Sequence, residues 1–180
     1  FNVVDRVLEQ DYTLRQMRMA INERVMRMIA TQHPVAVDLR KLFYLVHTAD
    51  EMERIGYQAA GIGRAMMREQ YGKVPLLDDI FRMSERVGTM LERVLTCSLG
   101  EDAEGMKAVL RMDDEVDVIC EQIYRECIAR QGAHQVQDSE TMTAISIAQY
   151  LEHVGDHAVN WARWWLYFNG GPGETGDVIV

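Results

Sequence analysis

Residues 150–160 read Tyr150-Leu151-Glu152-His153-Val154-Gly155-Asp156-His157-Ala158-Val159-Asn160, and this stretch decides the fold. Extended to either side, it places Ile145, Glu152, Val159 and Leu166 seven apart, which makes one stripe of a helix. The adjacent stripe, Ala148, Gly155 and Ala162, is small, so a second helix can approach closely. Residues 39–67 repeat the arrangement, with Leu39, Val46, Glu53, Ala60 and Met67 in one row and Ala49, Gly56 and Gly63 beside it. In each copy a single acid, Glu53 or Glu152, interrupts the apolar row at the matching place.

A second pair of segments behaves the same way. Val7, Leu14, Ile21 and Met28 run beside Val4, Asp11, Arg18 and Val25. Val109, Val116 and Ile123 run beside Met106, Asp113, Cys120 and Cys127. These are helix-bundle seams. Asp11 maps onto Asp113 and Glu53 onto Glu152, so the chain contains an internal repeat. Helical periodicity covers five segments, about 2–31, 35–69, 76–99, 102–130 and 138–169. The predicted class is all-α, a tandem repeat of antiparallel three-helix bundles. The first repeat spans 1–71 with two long helices, the second 76–170 with three, and 171–180 is a frayed tail. Segment 76–99 has no counterpart ahead of residue 1, so an N-terminal helix is expected to precede Phe1 in the parent protein.

Punctuation agrees with this division. His33-Pro34 separates the first two segments, with Pro34 suited to the first helical position. Tyr71-Gly72-Lys73-Val74-Pro75 makes the second break. Gly100 and Gly132 suit left-handed helix C-caps. Gly170-Gly171-Pro172-Gly173 closes the last helix, and only Asp177–Val180 hints at strand alternation.

Composition removes whole classes. Hydrophobic residues are 48% of the 180, which excludes a disordered acidic tail. Nineteen Lys and Arg against 28 Asp and Glu give a net charge of −9, a poor match to a phosphate backbone, so no nucleic-acid partner is expected. No segment approaches the roughly 20 apolar residues of a membrane span. Three cysteines, Cys97, Cys120 and Cys127, do not make a disulfide framework, and buried free thiols in a reducing cytoplasm are expected. The charge is uneven: residues 1–70 carry 10 basic and 9 acidic side chains, and residues 71–180 carry 9 and 19. The acidity belongs to the second repeat and its leading helix.

Carboxylates on an apolar seam are costly unless paired, protonated or bound to a cation. Asp113 and Asp117 share a helix face four residues apart, and so do Glu152 and Asp156. If the two helices pack together, four hard oxygen donors converge, a set suited to Mg²⁺, Ca²⁺, Mn²⁺ or iron. The competing reading leaves them partly exposed or bonded to Arg111, Arg125 or Arg163. In the first repeat Arg15 replaces Asp117 and Tyr57 replaces Asp156. Asp11 and Glu53 are therefore weaker metal candidates, and Arg15 or Arg18 can satisfy them as a buried ion pair instead. His153 and His157 are four apart like a helical zinc pair. They cannot share an ion with their acidic neighbours, because adjacent residues diverge by about 100° around a helix. They read as surface residues or as supports behind the carboxylates. His33, His47 and His134 carry no motif. The aromatic run Trp161, Trp164, Trp165, Tyr167 and Phe168 reads as packing at the end of a bundle or in a dimer contact rather than as a membrane contact.

Asp38-Leu39-Arg40-Lys41 after the proline turn, then Asp50-Glu51-Met52-Glu53-Arg54-Ile55-Gly56, together with residues 150–160, resembles the PhoU family of phosphate-signalling proteins. The resemblance covers about 1–169, without the family's first helix. It implies a cytoplasmic, non-enzymatic negative regulator, possessing two similar three-helix bundles and lying at most peripherally at the inner membrane face. The implied partners are a phosphate ABC transporter ATPase and a sensor histidine kinase, with a homo-oligomer such as a homodimer as the assembly. It also implies iron or zinc held through a repeated Glu/Asp-x-x-x-Asp pattern, which survives here at Asp113/Asp117 and Glu152/Asp156. Two other readings stand beside this one: a PhoU-like helical module of a larger transporter-associated protein, and a structural, oligomerising bundle without metal. A ferritin-like di-iron enzyme is disfavoured, because no Glu has a His three residues on. No nucleophile–base pair, Gly-rich phosphate loop or Walker motif is present.

Overall fold

The computed structural model describes residues 2–68, 77–133 and 138–169. The Tyr71–Pro75 break, His134, and the closing glycine run with the tail lie outside the described residues. Five helices follow in order: α1 Asn2–Gln32, α2 Ala36–Arg68, α3 Leu77–Gly100, α4 Ala103–Gly132 and α5 Asp138–Asn169. Each lies within two residues of its predicted segment, and the all-α class holds.

α3 shows why the periodicity works. Ile80, Met83, Val87, Met90, Val94 and Cys97 are buried at alternating steps of three and four, and charged side chains occupy the other faces. This stripe meets Met106, Val109, Val116, Ile119, Ile123 and Cys127 of α4, and Ala144, Ala148, Leu151, Ala158 and Ala162 of α5. The second repeat is therefore a filled three-helix core. All three cysteines are buried and free, as expected.

The helix ends correct two details. α3 and α4 do end at Gly100 and Gly132, but the left-handed residue after α3 is Glu101 (φ 55°), and Ala133 caps α4 at φ −86°. After α3 the chain turns one residue beyond the glycine, where the start of α4 has to be met. Asp102 supplies that start by accepting from the Gly105 backbone N–H at 2.9 Å. Pro34 lies just outside α2, because the Val35 carbonyl accepts the first helical bond from Leu39 N–H at 2.9 Å. His33, at φ 47°, makes the reversal before it.

α2 and α5 lie antiparallel and join the repeats. Trp161 Nε1 donates to the Tyr44 hydroxyl at 3.0 Å. His47 stacks on Trp164 with centroids 3.8 Å apart. Arg40 sits 6.0 Å above the Tyr167 ring and donates to the Tyr167 carbonyl. The aromatic end of α5 is thus packing against α2. Within each repeat the small stripe allows close approach: a Cβ on Gly56 would run into the Leu14 side chain, and one on Gly155 would stand 3.3 Å from Asp113 Oδ1.

The repeats differ in how well they are covered. Ile119, Ala144 and Leu166 are 8%, 0% and 5% exposed, while their counterparts Met17, Leu45 and Met67 are 56%, 49% and 46% exposed. In the second repeat α3 covers these positions. Among the described residues, no helix covers them in the first. No helix among the described residues is long and apolar enough to cross a membrane.

Candidate functional site

α4 presents Asp113 and Asp117, and α5 presents Glu152 and Asp156, along the edge of the α4–α5 seam, with Asp113 and Glu152 partly buried and Asp117 and Asp156 exposed. The seam brings these carboxylates within electrostatic reach of one another. Partial burial first, then Asp117 and Asp156, push Asp113 up to about 6, against the pull of Arg163. Burial and then Asp156 raise Asp117. Burial and then Asp156 raise Glu152, opposed by His153. Like charges held together in a partly dry seam favour the protonated form. Asp113 and Asp156 open into a cleft of about 390 Å³ that also touches His153, His157, Arg163 and, from α2, Gln58.

As the side chains stand, no three His, Cys, Asp or Glu groups among the described residues are placed to hold one ion. The donor set nevertheless suits a hard cation. It offers four oxygen-bearing acids from two helices, three of them raised by burial and then by one another, and a divalent ion relieves both. Cys120 lies in the same seam, and burial pushes its thiol up, so it is not a thiolate donor by default.

The first repeat is built differently. Glu53 is paired with Arg18 Nε and lies 3.4 Å from Arg15 Nε. Arg18 Nη1 also stands 3.6 Å from Asp50 Oδ1. The expected ion pair is present, but it is partly rather than fully buried, and it recruits Asp50 in place of Asp11. Asp11 Oδ1 is buried without a hydrogen-bond partner among the described residues. These side chains do not fit a multi-carboxylate metal site.

One residue pair was invisible to periodicity. His157 Nδ1 lies 2.8 Å from Glu51 Oε2, with side chains only 13% and 11% exposed. His157 is therefore tied to the first repeat rather than to the surface. Glu51 sits beside the seam in sequence, but only the antiparallel docking of α2 on α5 brings it to His157.

The raised Asp113 predicts a pH effect. Its folded value, about 6, lies above the ordinary 3.8, so the native state binds the extra proton between these limits. The stability this contributes is present below pH 4 and is lost as pH rises through 6. In chelator-treated protein, Asp113→Asn should raise the melting temperature at pH 7.5 and leave it unchanged at pH 4. A rise of about 2–4 °C corresponds to roughly 1 kcal/mol in a chain of this size, already discounted for a half-exposed group. Melts at the two pH values check it, and equal shifts at both would contradict it.

A family profile described as the PhoU domain matches residues 2–66 and again 80–165. Over 168 residues the chain is 32% identical to the phosphate-specific transport system accessory protein PhoU of Serratia marcescens, covering 91% of this chain and 68% of that protein. The Escherichia coli (strain K12) protein of the same name is 30% identical over 172 residues, with 93% and 70% covered. Among solved structures, PhoU from Pseudomonas aeruginosa superposes with a TM-score of 0.90 at 26% identity, over 95% of this chain and 83% of that one. The phosphate transport system regulatory protein PhoU from Streptococcus pneumoniae shares the fold, with a TM-score of 0.85 at 20% identity over 94% and 80%.

Proposed function

This chain belongs to the PhoU family, and on that premise we propose that it regulates phosphate uptake and phosphate-starvation signalling by protein contact. The proposed partners are the ATPase of a phosphate ABC transporter and a sensor histidine kinase, met at the cytoplasmic face of the membrane. The observation that carries this reading is the family match in both repeats, over nearly the whole described chain. It has no catalytic role in this reading; the surfaces of the two bundles do the work. Deleting the gene should derepress a phosphate-starvation reporter in phosphate-replete medium, and the purified chain should retain the transporter ATPase in a pull-down. An unchanged reporter together with no retention would overturn the proposal.

A cation held by Asp113, Asp117, Glu152 and Asp156 is the second half of the proposal, with iron or zinc as the metal. Bound there, it would neutralise the seam and fix α4 against α5. Asp113→Ala and Glu152→Ala should each lower metal affinity by at least about tenfold, the scale on which even groups behind the ligands act. Metal content after desalting measures this. Content untouched by both substitutions would remove the metal half and leave the regulatory half standing.

A further inference from the structure

We infer that the first repeat carries its own counter-ions, Arg15 at the place of Asp117 and Arg18 at the place of Cys120, so that any metal this protein takes is confined to the second repeat. The contrast rests on the reading of the second-repeat carboxylates as a cation site. The arginine cluster itself rests on geometry alone.

Laid over one another, the repeats differ in charge at four seam positions and keep the acid at Glu53 and Glu152. Arg15 stands at the place of Asp117, and Arg18 at the place of Cys120. Both reach Glu53, the counterpart of Glu152, and Arg18 extends to Asp50, which replaces Gln149. Tyr57 replaces Asp156, and the Arg64 guanidinium lies 5.4 Å from the Tyr57 ring centroid, where its second-repeat counterpart Arg163 acts on Asp113 instead. Two acids thus face two arginines at Glu53, where the second repeat sets Asp156 and Asp117 beside Glu152. A guanidinium holds its charge at every physiological pH and forks onto carboxylates. A divalent ion entering there would have to displace it and leave it unpaired. The first repeat is therefore closed to metal and indifferent to chelators.

The test counts zinc after loading with Zn²⁺ and desalting, in the wild-type chain, Glu53→Ala, and Glu152→Ala/Asp156→Ala. The expected result is an unchanged count in Glu53→Ala and loss of zinc in the double variant. Zinc that survives in the double variant, or that disappears with Glu53→Ala, overturns the inference. If the wild-type chain takes no zinc, the metal half of the proposed function fails and a second measurement decides the inference. Melting temperatures of Arg18→Gln, Glu53→Gln and the pair are compared with and without excess Zn²⁺. Non-additive losses that zinc does not alter support a built-in counter-ion. Additive losses, or a zinc-induced rise in Arg18→Gln that Glu53→Gln abolishes, overturn it.

Discussion

Trp161→Ala should lose about 3–5 kcal/mol of folding stability, the range for truncating a buried Trp or Phe. Trp161 is 4% exposed and forms part of the apolar core of the second repeat, yet its indole N–H reaches Tyr44 in the first. The substitution removes core volume and a bond between repeats together. Against a typical total of 5–15 kcal/mol, that is a large share. Trp161→Phe keeps most of the buried area and removes only the hydrogen bond, so it should cost about 1 kcal/mol plus a modest packing loss. Urea unfolding followed by circular dichroism measures both. A loss below about 1 kcal/mol for Trp161→Ala would show that α5 does not rely on this anchor. Equal losses for Ala and Phe would shift the weight from packing to the bond with Tyr44.

Gly61→Leu should be damaging for the opposite reason, too much volume at the same interface. A Cβ at Gly61 would stand 2.5 Å from Tyr150 Cε1 and 2.7 Å from Cζ, so the ring edge must move before even a methyl group fits. Gly61→Ala sets two effects against each other. Helix propensity gains about 1 kcal/mol, while overpacking costs about 1–3 kcal/mol, so a small net loss is expected. Leucine adds three more carbons in the same direction and should reach the upper end of that cost, about 3 kcal/mol. Tyr150→Ala in the Gly61→Leu background should recover part of it, because the two side chains compete for one space. Thermal melts of the single and paired variants test this. No recovery in the pair would mean that the clash is not with Tyr150.

Periodicity made the helices legible because burial on a helix repeats with the turn. Val109, Val116, Ile123 and Cys127 were identified as seam residues from spacing, and all are buried. The matching residues of the first repeat read equally apolar, yet Val7, Leu14 and Ile21 are only partly buried. A stripe shows that a face is apolar and says nothing of whether a neighbour lies on it. The gathering of Asp113, Asp117, Glu152 and Asp156 was legible for a related reason. Two i, i+4 pairs on neighbouring seams meet whenever the seams pack together. The bonds from Glu51 to His157, Tyr44 to Trp161 and Arg18 to Asp50 were not legible, because they depend on which helix lies beside which and at what height.

The sequence by itself determined five amphipathic helices, a duplicated pair with one acid at the matching place in each seam, and an excess of negative charge in the second half. Local spacing and composition suffice for these, since each is a property of one helix or one count. Only the tertiary structure decided that α2 and α5 run antiparallel and fasten the repeats together through His157 and Trp161. It alone decided that Arg18 extends from Glu53 to Asp50 and leaves Asp11 without a hydrogen-bond partner among the described residues. Such pairings join residues far apart in the chain, and their choice follows from how whole helices dock, to which no single stretch of sequence refers.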